Sequence, residues 1–231
     1  MSKTKKIISF SLWGEDEKYT IGALRNVQIA RKLFPDWICR FYLGTSVPEY
    51  IKESLKNSKN TEVIEMEEAG DWSGMFWRFL PCSEEDVEVM ISRDTDSRLG
   101  KREKCAIDEW MKSDKNFHIM RDHPWHGTEI LGGMWGAKRG VLNQMKTLME
   151  NYEKGDFWQV DQNFLKEKVY SLVVNDSMVH DEFFNYENFK KPFPCKRENF
   201  EFVGEIFSEV EEFVPENREV IRQYLSNPVQ R

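Results

Sequence analysis

The stretch that decides the fold is Val87-Glu88-Val89-Met90-Ile91-Ser92-Arg93-Asp94-Thr95-Asp96. A short apolar run ends in two aspartates that are two positions apart. Because side chains alternate along a strand, Asp94 and Asp96 are expected to point together from its carboxyl end, where open α/β sheets bind ligands. Two convergent carboxylates suit a hard divalent cation such as Mg2+ or Mn2+, which in turn suits a diphosphate. The stretch therefore predicts a nucleotide site; an acidic surface turn is the alternative.

The composition bounds the class of protein. The chain has 231 residues, of which 40% are hydrophobic, so it is long enough for one large domain and is not disordered. A net charge of -7 argues against non-specific binding of nucleic acid or of an anionic membrane. Residues 7–13 predict a buried first strand and not a signal peptide, and no apolar run approaches the roughly 20 residues that span a bilayer.

The cysteines predict a reducing compartment. No two of them have CxxC spacing, and a disulfide framework is not expected in a chain of this size. Reduced thiols and a cytoplasmic location are therefore expected. The four residues are Cys39, Cys82, Cys105 and Cys195.

Hydrophobic spacing predicts alternating strands and helices. In the first half, strands are expected at residues 6–13, 37–43, 61–66 and 87–92, with helices at residues 19–34, 48–55 and 71–80. Such a series predicts a mainly parallel central sheet flanked by helices. The second half is less regular, with helices at residues 99–111, 141–152 and 160–173, strands at residues 117–120 and 130–137, and a late strand or loop at residues 177–184. We expect one domain over residues 1–204 and a partly helical extension over residues 205–231.

A second polar cluster follows the strand at residues 117–120. Two of the four histidines lie in His123-Pro124-Trp125-His126-Gly127, directly after Asp122. Proline and glycine predict a loop, so helical metal-ligand spacing is absent. The loop is expected to line a polar pocket in which Trp125 offers a flat face to a sugar or base. A zinc site and purely structural histidines are the alternatives.

Four further features carry candidate chemistry, each with a structural alternative. Gly132-Gly133 predicts close approach of another group to the backbone, or tight packing against tryptophans. Asp161 opens a predicted helix and is either a site residue or a helix cap. His180 follows an apolar pair and is either a ligand or a structural histidine. Arg78 lies among aromatic residues and either contacts a base or phosphate or extends its charged end to solvent.

Taken in order, these motifs resemble those of GT-A-fold glycosyltransferases, most closely the retaining galactosyltransferase and glycogenin type. That resemblance implies a single GT-A-like, Rossmann-like domain with a smaller irregular half on the acceptor side. It covers roughly residues 5 to 195. The matching segments are Phe76-Trp77-Arg78, Asp94-Thr95-Asp96, Gly132-Gly133-Met134-Trp135-Gly136, Asp161-Gln162, His180 and Lys191-Pro192-Phe193.

The resemblance implies a metal-dependent, hexosyltransferase-type enzyme. It would move a sugar from a nucleoside diphosphate sugar to a hydroxyl of a glycan or other acceptor, without nucleic acid. Mn2+ or Mg2+ would be held by Asp94, Asp96 and His180. The residues expected to contact the nucleotide sugar are Ser9, Phe10, Ser11, Arg78, Arg93, Asp94, Gly132 and Gly133.

The catalytic roles implied depend on the stereochemical outcome. In a retaining enzyme, Asp161 and Gln162 would support an oxocarbenium-like state. In an inverting enzyme, Asp161, Asp122 or His123 would accept the acceptor proton. A nucleotidyltransferase with the same metal dyad, a non-catalytic carbohydrate-binding module and a zinc hydrolase are the alternative classes.

Overall fold

The computed structural model describes residues 4–155 and 157–226. Seven strands form one sheet; they are β1 (Lys5–Leu12), β2 (Ile38–Leu43), β3 (Thr61–Glu65), β4 (Val87–Ser92), β5 (Phe117–Arg121), β6 (Trp135–Lys138) and β7 (Ser177–Asp181). Their spatial order is β3-β2-β1-β4-β6-β5-β7. All pairs are parallel except the two that involve β6. The predicted parallel α/β sheet is confirmed.

Helices flank the sheet; they are α1 (Glu17–Leu33), α2 (Glu49–Lys56), α3 (Lys101–Met111), α4 (Met145–Glu150), α5 (Val160–Phe164), α6 (Tyr170–Val173) and α7 (Pro215–Ser226). The predicted helix at residues 71–80 is a 3-10 helix, Trp72–Ser83. A π-helical turn, Leu165–Val169, joins α5 to α6. In the part of the chain that the structure describes, no helix is long and apolar enough to cross a bilayer.

Three further predicted elements differ from the observed ones. Only Met145–Glu150 forms a helix within the stretch predicted at residues 141–152. The strand predicted at residues 130–137 begins at Trp135, because Gly132 and Gly133 form a turn and the pairing with β4 starts only at Trp135, opposite Ser92. The C-terminal helix begins at Pro215, and residues 227–231 lie outside the described residues.

The sheet is covered on both faces, which explains why adjacent residues of β1 and of β4 are apolar. Ile7 and Met90 face a core that is completed by the 3-10 helix and α5. Ile8 and Ile91, one position further along, face the core under α1 and α3. The site described below therefore stands on strands that are held rigidly from both sides.

Two cysteines are bonded to each other. Cys105 on α3 and Cys195 form a disulfide with Cα atoms 6.0 Å apart, across 90 residues of sequence. The expectation of reduced thiols is therefore wrong for this pair, whereas Cys39 and Cys82 are free and buried. The Arg102 guanidinium donates to the Cys195 carbonyl and brings the two segments together. A sequence separation this long gave no local signal of the pairing.

Candidate functional site

The site lies outside the carboxyl ends of β1 and β4. β1 has β2 on one side and β4 on the other, so the chain order reverses between them. This topological switch point is where open α/β sheets leave a crevice for ligands. Asp94 follows β4, and Ser11 lies near the end of β1.

Arg78 on the 3-10 helix is the centre of the site. Its side chain is 5% exposed, and its guanidinium bridges Asp94 and Asp161, with 2.6 Å between Nη2 and Asp161 Oδ2. Nη1 also donates to the Arg93 carbonyl at 3.3 Å. The Arg78 backbone N–H donates to the Ser11 hydroxyl at 3.0 Å. Two of the predicted carboxylates are thus joined through a buried cation.

The backbone of Gly132 and Gly133 lies in close contact with the side chains of this ion-pair network. A Cβ on Gly132 would lie 2.1 Å from Asp161 Oδ2 and 2.5 Å from Arg78 Nη2. A Cβ on Gly133 would lie 2.0 Å from Asp94 Oδ2. The predicted close approach of another group to the glycine backbone is therefore present, and the group is the acidic and basic cluster itself.

The antiparallel direction of β6 explains why the glycines meet the aspartate. Because β6 runs against β4 with Trp135 opposite Ser92, the chain that enters β6 lies beside the carboxyl end of β4. The Ser92 hydroxyl donates to the Gly132 carbonyl at 2.7 Å, and the Trp135 indole N–H donates to it at 3.1 Å. The glycine segment is therefore fixed in position.

Asp161 reaches the site from the first turn of α5. Phe164 on the same helix packs against Phe76 and Phe79 of the 3-10 helix, with ring centroids 5.2 and 6.3 Å apart. This packing sets Asp161 opposite Arg78. Its other carboxylate oxygen accepts the Gln162 N–H at 2.8 Å. Burial raises the pKa of Asp161, and the adjacent Arg78 charge opposes that rise.

Asp96 has a different partner from Asp94. Its Oδ2 lies 2.9 Å from Nζ of Lys18, a residue of α1 that the sequence patterns did not single out. Burial raises the pKa of Asp96, and the charge of Asp94 adds to the rise. Paired oxygen ligands of this kind fit a hard divalent cation.

The loop that carries Asp94 and Asp96 is held by α1. The Asn26 side-chain amide donates to the carbonyls of Thr95 (3.3 Å) and Ser97 (2.8 Å), and its oxygen accepts the Leu99 N–H at 3.0 Å. Asparagine is a poor helix former, and its place among apolar residues of a predicted helix is the signal that could have identified it.

Three predicted contacts of the nucleotide sugar lie in the core. Ser9 and Phe10 are fully buried, and Phe10 stacks on Phe41 with ring centroids 4.8 Å apart. The Arg93 guanidinium is also buried, with Nε 3.3 Å from Glu103. These three side chains present no surface to a ligand, because both faces of β1 are covered by core and the Arg93 side chain turns into the interior after β4. Of the β1 residues, Ser11 contacts the site.

His180 does not join the two aspartates. It lies on β7, three strand positions from β4, and its ring contacts His118 on β5, Glu109 on α3 and the Phe193 ring. Nε2 lies 3.2 Å from the Glu109 carboxylate, and Nδ1 lies 2.8 Å from His118 Nε2. Across residues 4–155 and 157–226, no group of three or more His, Cys, Asp or Glu side chains is placed to hold a metal ion.

The His118–His180 pair predicts a loss of stability in acid. Burial lowers the pKa of both rings, that of His118 well below its ordinary value of 6.5. Below pH 6.5 the unfolded chain therefore binds more protons than the folded one. As the pH is lowered below 6.5, the free energy of unfolding should decrease by about 1.4 kcal/mol per pH unit for each ring that stays neutral in the folded protein.

Urea denaturation between pH 7.5 and 5.5 checks this expectation. His118→Phe keeps the ring that stacks on Trp110 but removes one neutral imidazole, so the slope should become shallower. The remaining slope is expected from the other histidines, including His126, whose pKa burial lowers to about 3. An unchanged slope in His118→Phe would contradict the assignment.

The predicted histidine loop is tied to the C-terminal segment. His123 Nδ1 accepts the Trp125 N–H at 3.0 Å, and Nε2 lies 2.9 Å from the Asn217 carbonyl. Asp122 is buried against the guanidinium groups of Arg102 (2.8 Å) and Arg197 (2.6 Å). Neither His123 nor Asp122 therefore has a free atom to accept a proton, and both hold the loop in place. Trp125 remains 65% exposed.

Among comparisons with known proteins, those with solved structures support the fold. No protein-family model and no curated protein sequence matches the chain. Among solved structures, it is similar to a glycosyltransferase involved in the glycosylation of the major capsid of PBCV-1, with a TM-score of 0.52, 16% identity and coverage of 78% of this chain and 83% of the other.

Two further structures share the fold at lower identity. S. aureus TarS 1–349 has a TM-score of 0.54 and 12% identity, over 82% of this chain and 59% of that one. A mannosyltransferase from Pyrobaculum calidifontis, PcManGT, has a TM-score of 0.52 and 9% identity, over 82% and 56%. At these identities the likeness is one of fold, and the chain has the GT-A-like α/β fold that its motif order predicted.

Proposed function

We propose that this chain is a metal-dependent glycosyltransferase that uses a nucleoside diphosphate sugar. The observation that carries the proposal is the Asp94–Arg78–Asp161 bridge beneath Gly132 and Gly133 at the switch point of the sheet. This bridge places a buried arginine and two carboxylates at the crevice, against glycines that leave no room for a side chain. The mannosyltransferase of similar fold is in complex with GDP-Man and Mn2+, which supports the same donor class.

Asp94 and Asp96 are the residues that would hold the cation. Mg2+ and similar ions commonly take one or two protein carboxylates and complete their coordination with water and substrate phosphates. Two carboxylates without a third protein ligand fit that pattern. When bound, such a cation supplies charge stabilisation to the departing diphosphate. His180 is not included in the ligand set, because both of its ring nitrogens have other partners.

Asp161 and Arg78 would act on the sugar side. Both oxygens of Asp161 are engaged, by Arg78 and by the Gln162 N–H. Asp161 is therefore suited to hold Arg78 in place and to place negative charge near an oxocarbenium-like sugar, and is less suited to accept a proton. This favours the retaining outcome.

The Asp96→Ala variant tests the metal role. We expect it to lower metal-dependent transfer from, or hydrolysis of, a nucleotide sugar by at least about 100-fold, because charge stabilisation of the leaving group is lost. Circular dichroism should show an intact fold. Asp108→Ala removes a surface carboxylate that pairs with Lys104 and is the matched control. Full activity in Asp96→Ala would contradict the assignment.

A thermal-shift panel of nucleoside diphosphate sugars with and without Mn2+ tests the function itself. A ligand that binds only the folded state raises the melting temperature by mass action. We expect one donor to stabilise the protein in an Mn2+-dependent way. Stabilisation by free sugars alone would instead support a carbohydrate-binding module, and stabilisation by nucleoside triphosphates alone a nucleotidyltransferase.

A further inference from the structure

One face of α1 is directed at the loop that carries Asp94 and Asp96. Lys18, Gly22 and Asn26 are spaced four residues apart and therefore lie above one another on the helix. Asn26 binds the loop carbonyls, and Gly22 lets the helix come so near that a Cβ there would lie 2.1 Å from the Thr95 carbonyl oxygen. The third member of the row, Lys18, contacts the Asp96 carboxylate.

Each carboxylate of the pair is thus already neutralised by a cation of the chain itself. Asp94 is paired with Arg78, and Asp96 with Lys18. A divalent cation bound by both carboxylates would lie within a few ångströms of these groups, and like charges at that distance repel strongly. Movement of either side chain away from its aspartate would relieve that repulsion.

The two cations differ in their freedom to move. Arg78 is 5% exposed and is held by two carboxylates and a backbone carbonyl. Lys18 is 30% exposed and has a flexible stem, and its ammonium contacts a single carboxylate and lies 4.9 Å from the centroid of the Tyr19 ring. Lys18 is therefore the group that can be displaced at the smaller loss of contacts.

We propose that Lys18 is the resident counter-ion of Asp96 and that it sets the affinity of the site for a divalent cation. The ammonium holds Asp96 in the ligand-free protein and leaves it when a cation enters. The inference rests on the proposed function, because that function places the cation at Asp94 and Asp96. It adds a residue of α1 as the one that governs cation entry.

Binding of Mn2+ to the protein without nucleotide tests the inference, with free Mn2+ measured by electron paramagnetic resonance. We expect Lys18→Met and Lys18→Gln to bind Mn2+ at least about tenfold more tightly than the wild type, because a repelling charge is removed. Lys32→Met removes an exposed lysine from the last turn of the same helix and should bind Mn2+ like the wild type. Circular dichroism of both Lys18 variants verifies the fold.

A second substitution locates the effect. Adding Asp96→Asn to Lys18→Gln should remove the gain in affinity, because the carboxylate that was released is lost. The inference is overturned if both Lys18 variants bind Mn2+ within about twofold of the wild type, or if the gain persists without Asp96. Failure of the proposed function is seen separately, as an absence of nucleotide-sugar binding in the thermal-shift panel.

Discussion

The Arg78→Met variant should be less stable than the wild type by about 3–5 kcal/mol, because it leaves the buried Asp161 carboxylate without its counter-ion. It should also abolish binding of a nucleotide sugar, since Asp94 loses the group that holds it at the crevice. Urea denaturation measures the first effect, and the shift in melting temperature produced by the donor measures the second.

A double variant separates the two effects. In Arg78→Met with Asp161→Asn, the unpaired buried charge is gone, so most of the lost stability should return. Binding should not return, because Arg78 is still missing. If Arg78→Met alone bound the donor as tightly as the wild type, the bridge would be a structural ion pair and the observation that carries the proposed function would fail.

The Gly132→Ala variant should lower the transfer rate by about 100-fold through displacement of the Asp161–Arg78 pair, since misplacement by about 1 Å costs this much in positioned catalysis. The added Cβ would lie 2.1 Å from Asp161 Oδ2, a contact that the fixed carbonyl of Gly132 cannot relieve. Steady-state kinetics with the donor identified by the panel measures the loss.

Gly100→Ala is the matched control for this experiment. A Cβ at Gly100 meets no atom within 4 Å, and the residue lies at the start of α3. The control should therefore keep its transfer rate. Equal rates in Gly132→Ala and the wild type would mean that the glycine pair serves packing and not the geometry of the site.

The fold was predictable because its signals are local. The apolar run of β4 predicted its bounds, Val87–Ser92, and the alternation of strands and helices in the first half predicted the parallel sheet. Boundaries failed where a segment depends on its neighbours. The 3-10 helix contains Pro81 and the buried Arg78. No periodicity in its sequence distinguishes it from an α-helix.

The candidate site was only partly predictable. Arg78, Asp94 and Asp161 were identified from the order of weak motifs, and the structure brings these three together. Arg93 was not distinguishable from Arg78, because which arginine faces the crevice depends on the turn after β4. His180 was placed with the aspartates by resemblance, whereas β7 lies on the far side of β5 and β6.

By itself, the sequence determined the α/β class and the acidic pair at the end of a buried strand, because strand alternation and apolar periodicity act between neighbouring residues. The tertiary structure decided which charges meet. The antiparallel β6 carries Gly132 and Gly133 to Asp94, and α1 carries Lys18 to Asp96. These contacts join residues far apart in the chain, so their partners are set by the packing of whole elements; the glycine pair signalled a close approach but not the group that approaches.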